Sequence, residues 1–437
     1  MRNYAVRQYR ILNLNQPRKI WLPVAILASL PTVDSLANGL ALPDQDAFAT
    51  ARGEAVVATA DNPSAVYYNP AGITQQAGVN IRMGYHLLDY RPSFKPPAGR
   101  PNSGQTYDEQ NNFAALPRAF ATYTPTNFPL SFGLGVYVPF GGNMNWPNTT
   151  GFYSVASYGK LTYVTVNPVV AWKILPSLSI AAGPMVNYAD LTTQQGLFRY
   201  SPRFSDFYRF NGNGWSAGYN VGVLWQPLEQ LSFGGTFRSS SKVNLDGQSD
   251  FQFQSFGIPY STRSANMDLN FPMTAVVGVS YRPTPKWNLE FDANYTDWSS
   301  VSQTTIYQSP AVPFPMTQNV PVTFDWQPSW MYEFGVTRYF ESGWDVSIGY
   351  CFNQNSVPNS YYSPLAADMD RHFFSVGTGW KGRHLSFDIA YQFGYGPDHT
   401  VTGSSPSSTP GRISGENGNG TYSFYSNAIS LALGWHF

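Results

Sequence analysis

Residues Tyr425 to Phe437 read YSNAISLALGWHF. Tyr425, Ile429, Leu431, Leu433, Trp435 and Phe437 fall on one face of an extended chain. Ser426, Ala428, Ser430, Ala432, Gly434 and His436 fall on the other. A period of two with one apolar face is the mark of a half-buried β-strand. Three other stretches repeat it: Trp287, Leu289, Phe291, Ala293 and Tyr295; Trp344, Val346, Ile348, Tyr350 and Phe352; Leu385, Phe387, Ile389, Tyr391 and Phe393. The residues between them are Ser, Gly, Asn and Ala with an occasional acid. A soluble sandwich would carry many Lys and Glu there. Small polar residues suit the inside of a barrel, whose apolar face then meets lipid. Trp287, Trp298, Trp330, Trp344, Trp380 and Trp435 stand near strand ends, as an aromatic girdle requires.

Working outward, the alternation predicts about fourteen strands: 78–91, 112–124, 129–139, 160–173, 177–193, 214–227, 230–244, 267–281, 286–298, 328–340, 343–354, 371–381, 384–396 and 423–437. Short turns near Pro125, Pro176, Pro227, Pro283 and Pro285, Ser342 and Gly382 alternate with long polar loops, among them 194–213 and 245–266. Short turns on one side and long loops on the other are the pattern of an outer-membrane barrel. Composition agrees. Of 437 residues only 12% are charged and 16% are aromatic, mean hydropathy is −0.26 and formal net charge is zero. No run after the first 30 or so residues is apolar enough for a membrane helix, and nothing points to nucleic acid. Cys351 is the one cysteine, so no intramolecular disulfide forms.

Arg2, Arg7, Arg10, Arg18 and Lys19, the apolar run Ile20 to Leu30 and the small residues Ser35 and Ala37 predict an export signal over 1–37. An uncleaved anchor is the alternative. Asn38 to Thr74 has no alternation. Asn62-Pro63 reads as a helix start and Pro70 as a stop. The segment is too small for a core of its own, so it is expected to pack inside the barrel as a plug.

These features together resemble the FadL/TodX family of bacterial outer-membrane channels for long-chain fatty acids and aromatic hydrocarbons. The resemblance rests on Asn62-Pro63-Ser64-Ala65-Val66-Tyr67-Tyr68-Asn69-Pro70-Ala71-Gly72, on Gly133-Leu134-Gly135-Val136-Tyr137-Val138-Pro139-Phe140-Gly141, and on the strand layout to Phe437. It implies an all-β fold, an antiparallel transmembrane barrel of about 14 strands (78–437) plugged by a small, partly helical N-terminal hatch (38–77). It implies a bacterial outer-membrane location, passive uptake of a hydrophobic small molecule, capture among the outer loops, a deeper pocket near the mature N-terminus, and sideways release at a kinked third strand.

Carried onto this chain, the capture residues are Leu197, Phe198, Phe204, Phe207, Phe251, Phe253 and Phe256, and Leu40, Leu42 and Phe48 line or gate the deeper pocket. Arg199, Arg203 and Arg263 either hold a carboxylate or meet lipopolysaccharide phosphates. Asn69, Pro70 and Ala71 form the hatch floor. Gly133, Gly135 and Pro139 weaken the third strand; the other reading of the glycines is that they fit a narrow lumen. No cofactor or metal is expected, and a monomer is. The five histidines are scattered and no nucleophile elbow or phosphate loop occurs. Inward Glu290, Asp292, Glu333, Asp345 and Asp388 are expected to pair with Arg118 or Arg238. A general porin, or a barrel enzyme or adhesin, is the competing reading.

Overall fold

A computed structural model describes residues 39–100, 102–197, 206–310, 317–405 and 415–437. The expected leader lies outside them, as do Phe198, Arg199, Arg203 and Phe204. Fourteen strands form a closed antiparallel ring: β1 (Gly78–Lys95), β2 (Phe113–Thr124), β3 (Leu130–Asn145), β4 (Tyr158–Leu175), β5 (Leu178–Gly196), β6 (Phe207–Leu228), β7 (Leu231–Arg238, resuming as Ser241–Phe253), β8 (Ile258–Phe271, resuming as Thr274–Thr284), β9 (Trp287–Thr296), β10 (Ser329–Tyr339), β11 (Trp344–Asn353), β12 (Arg371–Lys381), β13 (Leu385–Val401) and β14 (Gly420–His436). Three short stretches, Tyr107–Asp108, Gln303–Ser309 and Asn319–Thr323, add to its edge. β14 closes on β1 from Asn80↔His436 to Lys95↔Thr421. Closure of β14 on β1 removes the two free edges that an open sheet would expose to lipid, where such an edge is costly.

The alternation read from β14 is what the ring uses. Ile429, Leu431 and Leu433 are 46%, 40% and 48% exposed to the surroundings, while Ser426 and Ser430 are buried. Trp172, Trp225, Trp287, Trp344 and Trp435 project outward near the short-turn rim as one aromatic belt. Trp298 departs from the expected girdle: it is fully buried, edge-on to Phe140 and Trp326.

The wall is taller than expected. Within the stretches 194–213 and 245–266, read as loops, residues 194–196, 207–213, 245–253 and 258–266 are the outer ends of β5, β6, β7 and β8. Tyr208 pairs with Phe251 across β6 and β7, and both side chains are buried. Asn and Gly between those aromatics suggested loops, yet a ladder standing above the bilayer needs no apolar outer face.

Residues 39–77 fill the lumen. Asp46 caps α1 (Ala47–Ala51) by accepting from Phe48 N at 3.0 Å. Asn62 Oδ1 accepts from Ser64 N at 2.9 Å ahead of α2 (Ala65–Tyr68). Asn69, Pro70 and Ala71 open a 3₁₀ turn, Pro70–Gln75. Asn69 Nδ2 donates to Val57 O at 2.8 Å and to Val223 O on β6 at 2.9 Å, tying the hatch to itself and to the wall. The fit is close because bare backbone faces the hatch. A Cβ on Gly349 would stand 2.0 Å from Gly53 N, and one on Gly335 2.7 Å from Arg52 O. Gly133 and Gly135 belong to the same surface. A Cβ on either would meet Val66 at 2.7 and 3.0 Å, and both residues lie in regular register with β4. They make room for the hatch and are not where β3 bends.

Candidate functional site: an outer cleft, an inner pocket and a break in the wall

β3 breaks at Pro139. Tyr137 pairs with Thr165 and Phe140 with Tyr163, so Val138 and Pro139 stand opposite Val164 alone, which is a β-bulge. The β2–β3 ladder runs only from Ala119↔Val136 to Tyr123↔Phe132. Above it, Phe113–Arg118 and Tyr137–Asn145 are not laddered to each other, and the wall is open there. The N-terminal segment occupies this interval. Leu42 N donates to Pro139 O at 2.9 Å, Gly141 N to Leu40 O at 2.9 Å, and Ala41 bridges Phe140. Gln45 Nε2 donates to Val138 O at 2.8 Å, and Arg118 on β2 donates to Asp44 O. Residues 40–45 thus act as a short extra strand between β2 and β3.

The start of that strand is held from outside. Asp368, in the connection between β11 and β12, accepts from Gly39 N at 3.1 Å and from Ser356 N and Oγ at 2.8 and 2.9 Å, all at Oδ2. Asp368→Ala is expected to loosen this anchor, leaving Gly39 N without its acceptor at a cost of about 1–3 kcal/mol. Amide exchange measured by mass spectrometry should quicken in 39–45 while α2 stays protected.

Two cavities flank the segment. The outer cleft lies between the upper strands β4, β5, β6 and β8, the Gln303–Ser309 hairpin and the β11–β12 connection. Including its mouth it encloses about 1320 Å³, and Leu161, Leu191, Leu269, Ile306, Val320 and Leu365 make its wall largely apolar. Leu40 lines it too. Of the residues expected to capture cargo, Leu197, Phe251 and Phe253 are buried in the apolar cluster behind this wall. Phe207 packs against Tyr260 instead, and Phe256 is 46% exposed on a 3₁₀ turn. Arg263 lies over the Phe251 ring at 5.6 Å, away from the cleft lining.

The inner pocket, about 640 Å³ when its openings are included, is bounded by Ala41, Pro43, Tyr67, Pro139, Phe140 and Arg238 among others. The Arg238 guanidinium stacks over Tyr67 at 3.9 Å and donates to Tyr67 O at 2.6 Å, and its Nε has no hydrogen-bond partner. Arg238 was expected to pair with an inward acid; here it is the cation of the pocket, and nothing in the sequence joins it to Tyr67. Leu42 is buried against Leu116 and Val138, at the break in the wall. Phe48 lines neither cavity; it borders a polar recess at the short-turn rim with Asp61, Arg82 and Asp345.

The inward acids hold the hatch. Glu290 accepts from Ala58 N at 2.7 Å and Thr59 N at 3.1 Å and pairs with Arg52 at 3.0 Å. Asp292 accepts from Val56 N and Val57 N, both at 2.8 Å. Asp388 pairs with Arg82 at 2.8 Å, and Arg82 also holds Asp46. Asn294 Nδ2 donates to Glu333 at 3.2 Å. Glu290, Asp292 and Asp388 thus take Arg52, Arg82 and the hatch backbone as partners, in place of Arg118 and Arg238, while Glu333 takes Asn294 of the wall. Within the hatch, burial lifts the Glu54 carboxyl well above the usual carboxylate range, and Asp44 adds to it; a Tyr68 hydroxyl donated at 2.6 Å opposes the shift. Among the described residues no group of His, Cys, Asp and Glu is placed to hold a metal.

Residues 28–437 match the family model described as outer membrane protein transport protein (OMPP1/FadL/TodX). Curated relatives include the long-chain fatty acid transport proteins of Escherichia coli K12, 26% identical over 197 residues, and of Salmonella typhi, 25% identical over 197 residues. Each alignment covers 43% of this chain and 43% or 44% of the relative, so the matched part spans less than half of either. Among solved structures, a Pseudomonas aeruginosa FadL homologue superposes with a TM-score of 0.79 at 19% identity, covering 91% of this chain and 100% of the other. The Pseudomonas putida toluene transporter TodX superposes at 0.68 with 11% identity, covering 93% and 100%. These likenesses show the fold. With a hatch-filled ring of fourteen strands and a family match over nearly its whole length, the chain belongs to the OMPP1/FadL/TodX family of outer-membrane transport proteins.

Proposed function

We propose that the protein, acting as a monomer after loss of residues 1–37, is a passive channel for hydrophobic small molecules, long-chain fatty acids or aromatic hydrocarbons. Cargo is captured in the outer cleft, passes to the inner pocket, and leaves sideways between β2 and β3 when residues 40–45 withdraw. One observation carries this reading: a single segment borders both cavities, through Leu40 outside and Ala41 and Pro43 inside, and also fills the break in the wall. A cargo that displaces Leu40 disturbs the pairing of Leu40 and Leu42 with β3. The names of its relatives, fatty acid transport proteins and toluene transporters, support the cargo class.

The energetics favour a pocket over an open pore. Each buried CH₂ gains about 0.8 kcal/mol, which an apolar wall supplies and a column of water does not. Leu269→Trp fills the outer cleft from its β8 wall. Uptake of radiolabelled palmitate or toluene by cells relying on this channel should fall by about tenfold, the loss of roughly two CH₂ equivalents of binding. Unchanged uptake of both would remove the cleft from the route. The porin reading predicts instead a high ion conductance in planar bilayers with the hatch intact.

A further inference from the structure

The outer cleft carries three hydrogen-bond donors that its apolar wall does not explain. Trp326 is 3% exposed, lines the cleft, and its indole Nε1 has no acceptor. Its ring is fixed edge-on to Trp298 at 5.1 Å and to Phe324 at 5.8 Å, and its backbone N donates to Val301 O at 3.2 Å. Gln195 on β5 also lines the cleft, and its amide Nε2 is buried; among the described residues neither it nor the Trp326 Nε1 has a hydrogen-bond partner. Tyr208 on β6 sits directly across from Gln195 in the ladder, so the two side chains share one face of the wall. The Tyr208 hydroxyl makes no hydrogen bond of ordinary geometry. Ser249 stands near it outside that geometry, its own proton donated to Gln308 Oε1 at 2.5 Å.

Buried polar groups are nearly always paired, and a buried donor without an acceptor is expensive. Here the residues that carry the orphans, from β5, β6 and the stretch before β10, all line one cavity. An indole N–H can only donate, and the free valence of the Gln195 amide is a donor as well. A ligand that satisfies them brings oxygen acceptors. A bare alkane or alkylbenzene fills the same apolar space and leaves all three unpaired.

We propose that the outer cleft selects amphiphiles ending in an oxygen acceptor head group, a carboxylate or ester carbonyl, over bare hydrocarbons, and that Trp326, Gln195 and Tyr208 are the residues that read the head. The proposal rests on the cleft being the capture site. Because these three donors are neutral, the methyl ester of a fatty acid keeps their hydrogen bonds and forfeits only the attraction of Lys160, which also lines the cleft. Reading by Lys160 alone would reject the ester.

The experiment uses the full-length protein in lipid nanodiscs with radiolabelled laurate, and laurate, methyl laurate and dodecane as competitors. Trp326→Phe keeps the ring and removes the N–H; Gln195→Met keeps the length and removes the amide. Heat-modifiable migration on gels reports the folded barrel for every variant. The expected result is that laurate and methyl laurate each displace the label at about tenfold or more lower concentration than dodecane. Each substitution should erase most of that ratio, since one lost hydrogen bond in a buried site is worth about tenfold, while dodecane binding holds. Dodecane equal to laurate in the wild type, or a ratio unchanged in both variants, overturns the proposal. Leu269→Trp separates the two layers of inference. If it abolishes binding of all three ligands while dodecane equals laurate, capture at the cleft stands and head-group reading fails. If it changes no binding, both fail.

Discussion

Replacing Glu290 and Asp292 together with alanine is expected to free the hatch and turn a sealed barrel into a conducting one. Between them the two carboxylates accept four consecutive backbone amides, Val56 to Thr59, and Glu290 also neutralises Arg52. Neither partner of that ion pair is exposed to solvent. Removing one partner of a buried pair costs about 3–5 kcal/mol, because the other charge is left stranded. Each orphaned amide adds about 1–3 kcal/mol unless water reaches it. The hatch has no core of its own to resist such a loss. Its α1 is five residues long and its α2 four, well short of the length at which an isolated helix persists. Planar-bilayer recordings should show stable openings where the parent protein is silent, and trypsin should cut at Arg52 in intact outer membranes. A variant as silent and as protease-resistant as the parent would show that the wall glycines and Asn69 retain the hatch without the acids.

Deleting Pro139 should close the sideways exit. With it gone, Val138 faces Val164 and every pair above, beginning with Phe140↔Tyr163, keeps its partner. The bulge disappears with no side chain turned to the wrong face, so the barrel folds. What is lost is the re-aiming of β3 away from β2, along with the carbonyl that receives Leu42 N. If cargo leaves through that interval, uptake should drop by about tenfold or more, equivalent to a barrier raised by ~1.4 kcal/mol. Binding of the same ligand to purified protein in nanodiscs should change little. Equal uptake before and after deletion would place the exit elsewhere, downward past the hatch. The pairing of retained binding with lost uptake is what separates release from capture.

The barrel was legible because lipid imposes a rule on every second residue. Leu431, Leu433 and Trp435 had to be apolar and Ser430 and Ala432 did not, whatever else the chain does. The hatch was legible as an absence of that rule ahead of β1. The sites were legible only where one short stretch carries them, as Pro139 carries the bulge. The outer ends of β6 and β7 escaped notice because they stand in water, where Asn211, Gly212 and Asp246 are as acceptable as Val. Their inward aromatics, Tyr208 with Phe210 and Phe251 with Phe253, did keep period two. Trp326, Gln195 and Arg238 meet their surroundings through contacts between distant strands, and nothing local to each marks it. The acids were seen to point inward, but their partners were misjudged because the hatch offers backbone amides, which every residue but proline possesses.

The bare backbone at Gly335 and Gly349 has a consequence for how the molecule is made. Arg52 and Gly53 lie so close to those strands that a single methyl group would not fit between them. A body seated with that little clearance does not enter a finished ring from its end, past the side chains that narrow the lumen above and below. It must be present while the ring is still open. The hatch precedes every strand of the ring in the chain, and the ring is completed only when β14 meets β1 along Asn80–Lys95 and Thr421–His436. The order of assembly is therefore written into the wall: the strands gather around the hatch, and the seam between the last strand and the first is the step that locks it in.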